Sequence, residues 1–123
     1  MNTDHARLSL RPHLDLAPAA APAEKFQNET LRPVMKLQHE HIVAVFAGFL
    51  RKRKVKPEQL PQNQRWAKIK ELVTRDNRLR GLLFGIAIGQ FTAEEMAHYL
   101  DNEGEVNRRM TNLLTERLLS VYG

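Results

Sequence analysis

The sequence predicts an all-α fold: a small bundle of about four to five helices behind an extended N-terminal tail. Three observations lead there. Apolar residues recur at spacings of three and four along most of the chain, which is the period of a helix with one buried stripe. Thr92 with Glu95 three residues later forms a capping box, the mark of a helix start. The one stretch that alternates like a strand, Leu82, Phe84, Ile86 and Ile88, has no second strand to satisfy its backbone groups.

Taken in order, residues 1–23 read as a flexible or extended tail. The run APAAAPAE can bury little, and Leu8, Leu10, Leu14 and Leu16 at even positions would give an extended arm one apolar edge. Residues 24–123 read as a single helical domain. From Glu24 to about Lys54, Phe26, Thr30, Val34, Leu37, His41, Val45 and Phe49 make one stripe, kinked at Pro33. The basic run Arg51, Lys52, Arg53, Lys54 suits the negative end of that helix, and Pro57 and Pro61 punctuate the loop after it. A second helix, about Gln62 to Arg75, puts Trp66, Ile69, Leu72 and Val73 on one side. A third starts near Asp76, and the capping box opens a fourth that ends near Asn102–Gly104. The last helix, about Glu105 to Val121, carries Val106, Met110, Leu113, Leu114, Arg117, Leu118 and Val121.

Within the third helix, GLLFGIAIGQF holds Gly81, Gly85 and Gly89 on one face. Glycine inside a helix costs about 0.5–1 kcal/mol relative to alanine. The spacing therefore predicts that a second helix packs closely there, within the chain or from another subunit. A helix apolar all round would belong at a bundle centre or a dimer interface.

The bulk composition narrows the function classes. With no cysteine among 123 residues, disulfides, thiolate zinc sites and iron–sulfur clusters are excluded. No segment has the roughly 18–20 apolar residues of a membrane span, and Arg11, Pro12, His13 and Asp15 interrupt the N-terminal leucines, so no secretory signal is read there. A cytoplasmic protein without a membrane partner is the expectation. The net charge is +5, unevenly spread: residues 51–80 hold eleven Lys/Arg against three Asp/Glu, and residues 90–123 hold three against six. Such asymmetry points to an anionic partner or to head-to-tail self-association.

No Gly-rich phosphate loop, nucleophile elbow or P-loop is present, so no catalytic residue and no cofactor is expected. His39 and His41 are two apart and cannot grip one metal from a helix, and His41 falls in the buried stripe. Glu95 and His98 form one Glu-x-x-His pair of the kind used in di-iron bundles, with Glu29 or Glu40 as further ligands of a symmetric dimer. No metal site is expected from one copy of that element. The order of the last two helices, with Asn107, Arg108 and Arg109 starting the second, also matches a helix-turn-helix. Two function classes follow: a homo-oligomeric helical protein, a homodimer in its simplest form, acting on macromolecules; or a nucleic-acid binder using Arg51, Lys52, Arg53, Lys54 and Lys56.

FQNETLRPVMKLQHEHIVAVF, with GIAIGQFTAEE and the terminal NRRMTNLLTERL, resembles a group of short bacterial proteins, over roughly residues 25–120. Some of these carry the label glyoxalase, which would imply a metal-dependent lyase or isomerase acting on a methylglyoxal–thiol adduct. The glyoxalase I fold is built from βαβββ units that carry its ligands on strands, so the resemblance assigns no ligand among these residues.

Overall fold

Residues 3–122 are described by a computed structural model, and among them no strand occurs. Helix α1 spans Asp4–Leu10. A non-helical arm then leads to α2 (Pro22–Phe26), a π-helical turn (Gln27–Leu31) and α3 (Arg32–Leu37), which run on without a break. Next come α4 (His39–Arg53), a 3-10 turn (Pro57–Gln59), α5 (Gln62–Arg75), α6 (Asn77–Ile88), α7 (Ala93–Asp101) and α8 (Glu103–Tyr122). The all-α expectation holds, whereas four to five helices is an undercount. The surplus comes from α1, which buries no residue and so leaves no stripe to read, and from the division of the Glu24–Lys54 span.

That division has a local cause. Pro33 has no N–H to close an α-helical bond, and the turn just before it widens, with the Arg32 N–H donating to Gln27 O, five residues back. The backbone leaves the helix only at Gln38 (φ −97°, ψ 13°), so the break sits five residues beyond the proline. A π turn holds one residue more than an α turn. The core line accordingly runs Phe26, Leu31, Met35, Ile42, Phe46, Leu50, one residue later than the stripe read from the sequence. Thr30 and Val34 are still buried, but His41 is exposed, and Val45 and Phe49 lie only on the flank.

The centre of the bundle is α8, whose Val106, Met110, Leu113, Leu114 and Leu118 are buried against Ile69 and Val73 of α5, Leu79, Leu83 and Ala87 of α6, and the α3–α4 line. Each large side chain so buried stabilises the fold by about 1.5–3 kcal/mol. Thr115, fully buried in this layer, donates its hydroxyl to Thr111 O at 2.8 Å, so its polar atom is answered inside the helix. Arg65 fastens the loop ahead of α5 to the end of α8 by donating to Leu60 O, Glu58 O and Tyr122 O. Trp66 stands at 38% exposure outside the core, not on the buried side of α5 as its spacing implied.

Two helix ends explain themselves from sequence. Asp76 caps α6 by accepting from the Leu79 N–H at 2.9 Å, and Thr92 with Glu95 completes the expected capping box of α7. The end of α4 is less ordinary. Lys54 occupies the left-handed region (φ 55°, ψ 40°), a place usually taken by glycine or asparagine.

The residue 1–23 tail also differs from an extended arm along part of its length. Asp4–Leu10 is helical, so Leu8 and Leu10 do not continue one edge with Leu14 and Leu16; both are exposed. Arg11 and Asp4 tie this segment to the start of α7, as described below.

Candidate interaction surfaces

The glycine face of α6 is open. The buried face of that helix is Leu79, Leu83, Phe84 and Ala87, and a Cβ added at Gly81 or Gly85 would meet nothing within 4 Å. Among the described residues no helix packs against Gly81 or Gly85, which corrects the expected intramolecular crossing; three glycines and Leu82, at 50% exposure, face outward instead. Gly89 differs: it ends the helix, and an added Cβ would stand 3.0 Å from Gly85 O. Since α6 carries a true core face and an open face, it is a surface helix rather than the bundle centre.

Beside this face lies the basic corner. Arg51, Lys52, Arg53, Lys54 and Lys56 are all exposed around the C-terminal end of α4. Arg53 is held, donating to Asp76 Oδ2 at 2.7 Å and lying over the Phe49 ring at 5.1 Å. The other four make no ion pair among the described residues. Between α4 and α6 runs a groove of about 340 Å3, lined by apolar Val45, Phe49, Leu79 and Leu82 and rimmed by Lys52 and Arg78. It combines apolar contact area with positive charge.

At the opposite charge extreme is the α7–α8 corner. Glu94, Ala97, Leu100 and Asp101 lie on the outer face of α7, followed by exposed Glu103, and Leu100 is 59% exposed. Here an apolar side chain sits among carboxylates, the converse of Leu82 among cations.

Glu95, by contrast, is occupied within the chain. Its carboxylate accepts from Arg11 Nη1 and Nη2, each at 2.6 Å, from the Thr92 N–H at 2.8 Å and from the Thr30 hydroxyl at 2.9 Å. Burial alone would raise this carboxyl, but the Arg11 guanidinium and the two further donors hold it below the ordinary carboxylate range. Arg11 also donates to Gln90 O at 2.7 Å, and Asp4 accepts from the Ala93 N–H. His98 stacks on Phe26, ring centres 4.3 Å apart. The Glu-x-x-His pair therefore serves packing. Among the described residues no cluster of three or more potential ligands could hold a metal, and Glu29 and Glu40 are both exposed.

The helix-turn-helix reading meets a similar correction. A single residue, Asn102, separates α7 from α8, where that motif has a turn of about three to four. Asn107 accepts from the Tyr99 hydroxyl at 2.7 Å, and Arg109 donates to Glu105 and to Gln27. Asn107 and Arg109 are thus used internally, while Arg108 stays exposed beside Glu105 of the same helix.

Sequence reading missed Arg11 as the partner of Glu95, and missed a second cationic group, Arg32, Lys36 and Arg117. Its one visible signal was a charged Arg117 inside the apolar stripe of the last helix. Compared with family models, curated proteins and solved structures, the chain matches none. The strand-built glyoxalase I scaffold has no counterpart among the described residues. No helix among them is long and apolar enough to cross a membrane.

Proposed function

We propose that this chain works as a self-associating interaction protein, in which the α4/α6 groove of one copy receives the α7–α8 corner of another. The observation that carries this reading is a double complementarity. Leu82 stands exposed among cations and Leu100 exposed among carboxylates, so joining the two covers apolar surface and pairs charge in one step. The open Gly81 and Gly85 positions let a partner helix approach the α6 backbone closely. Reciprocal use of the two faces closes a dimer; one-way use builds a ring or a chain. Such an assembly needs no cofactor.

Light scattering and sedimentation at tens of micromolar protein test this directly. The expected result is a salt-sensitive dimer or larger species, since the pairing is partly between charged rims. Leu82→Glu and Leu100→Lys should each yield monomers. Mixed together, they should associate again, because one contact is then native and the other pairs the new glutamate with the new lysine. A wild-type chain that stays monomeric at low salt ends this reading.

A second reading rests on Arg51, Lys52, Lys54 and Lys56 of the basic corner, which make no ion pair among the described residues and suit phosphate backbone contacts. Fluorescence anisotropy with labelled single- and double-stranded DNA and RNA would show affinity falling steeply with salt. No shift at low salt removes it.

A further inference from the structure

Arg32 and Lys36 stand four residues apart on α3 and so project from one side of that helix. With Arg117 and Ser120 of α8 they line a groove of about 310 Å3 whose apolar lining includes the buried Met35 and Leu113. Leu14 and Leu16 of the N-terminal arm border it on the outer side. Three cations thus share one small concavity. Among the described residues no carboxylate stands within ion-pair distance of any of them. Glu116 is on the rim, close enough for its charge to be felt by Arg117 but not to pair with it.

The contrast with other guanidiniums of the chain is direct. Arg11, with a side chain 6% exposed, has Glu95, and half-buried Arg109 has Glu105. Arg117 is half-buried as well, and among the described residues its Nη1 reaches only His39 Nδ1, at 3.1 Å. A guanidinium can only donate, so Nδ1 is the acceptor and supplies no negative charge. Arg32 has an amide, Asn28 Oδ1, at 3.3 Å. Burial, and then the charge of Arg32, lower the proton affinity of Arg117, with Glu116 acting in the other direction. A group so placed gains most from a counter-charge arriving from outside.

We propose that this groove binds a small phosphate monoester, its phosphate between Arg32, Lys36 and Arg117 and its carbon body over Met35 and Leu113 beneath the arm. Two guanidinium forks and an ammonium match the oxygens and double charge of a phosphate monoester better than they match a single carboxylate. The volume is at the lower end of small-ligand pockets, which sets the size of the ligand.

Calorimetry on the full chain in a phosphate-free buffer, with phenyl phosphate as probe and phenol as its uncharged control, tests the site. Phenyl phosphate should bind saturably and phenol should not. Lys36→Gln, at an exposed position, and Arg117→Gln should each weaken binding by about tenfold or more, the usual worth of a charged hydrogen bond. Lys70→Gln, which removes a cation elsewhere, should leave it unchanged. Vesicles of phosphatidylcholine with phosphatidic acid separate the sources of the phosphate. Capture that Lys36→Gln abolishes supports the site with a lipid headgroup as ligand, and binding of the soluble probe alone supports a free one. Absence of saturation by either, or equal losses in Lys36→Gln and Lys70→Gln, overturns the proposal.

Discussion

The start of α7 and the outer face of α4/α6 lie on the same bundle but treat their polar and apolar groups in opposite ways. At α7 the chain itself answers nearly every polar group: Glu95 has Arg11, Thr30 and Thr92, Asp4 has the Ala93 N–H, and His98 has the Phe26 ring, with the buried Arg11 Nε the exception. At α4/α6, Leu82 faces out, Gly81 and Gly85 border open space, and Arg51 and Lys52 have no carboxylate partner among the described residues. Burial forces the first arrangement, because an unpaired charge or polar atom away from water is expensive. Exposure permits the second. The difference separates groups that hold the fold from groups left available to something else, and it is in the second set that function is sought.

Breaking the first region should have the largest effect. Glu95→Ala strands the buried Arg11 charge and removes half of the capping box, and it should cost on the order of 3–5 kcal/mol in urea denaturation, as breaking a buried ion pair does. A loss under about 1 kcal/mol would mean that this pair behaves like a surface one. Acid should reach the same contact more gently. Because the folded-state carboxyl is held below its ordinary value, Glu95 contributes stability above the unfolded-state value, and that contribution is lost as pH falls through the depressed folded one. Thermal melts taken from neutral pH downward should show this decline, and Glu95→Gln, less stable throughout, should flatten it.

In the second region the signs reverse. Gly85→Ala should stabilise the isolated chain by about 0.5–1 kcal/mol, since the added methyl meets nothing and glycine is a poor helix former. Measured by urea denaturation at two protein concentrations, a destabilised mutant whose loss grows with concentration would place a partner on that face. The smallest effect belongs to the corner next to it. Lys54→Gly relieves a left-handed lysine and should gain a few tenths to about 1 kcal/mol. A loss there would show that the lysine side chain contributes more than its backbone strain costs.

Local signals were legible and distant ones were not. The capping box at Thr92 and Glu95, the helix start near Asp76 and most of the stripe of the last helix each depend on residues a few positions apart. The box and the start appear as expected, and the stripe holds from Val106 to Leu118 while Val121 is exposed. Arg11 meets Glu95 across 84 positions, and no periodicity encodes that meeting. The Glu-x-x-His spacing was real, yet spacing alone does not say whether a carboxylate faces a metal or an arginine. The glycine row predicts a contact because conformational cost suggests compensation, but none is supplied at Gly81 or Gly85 among the described residues. Arg117 carried the clearest overlooked signal: a long cation in an apolar stripe requires an explanation, and Arg32 and Lys36 are legible as neighbours only once α3 and α8 are placed side by side.

The π turn at Gln27–Leu31 bears on which length changes the chain can survive. One extra residue there turns everything after it by about 100° relative to an unbroken α-helix. Deleting Asn28 would remove that extra residue and let the turn close as an ordinary α turn, leaving Phe26 and Leu31 four apart, so Met35, Ile42, Phe46 and Leu50 should keep facing inward. By the same geometry, the non-helical arm at residues 12–20 sets no helical phase and should absorb the loss of a residue with little effect on the bundle. Loss of a single residue should therefore be tolerated at the turn as well as in the arm, whereas the same loss in the middle of α8 would turn Leu114 and Leu118 out of phase with Val106.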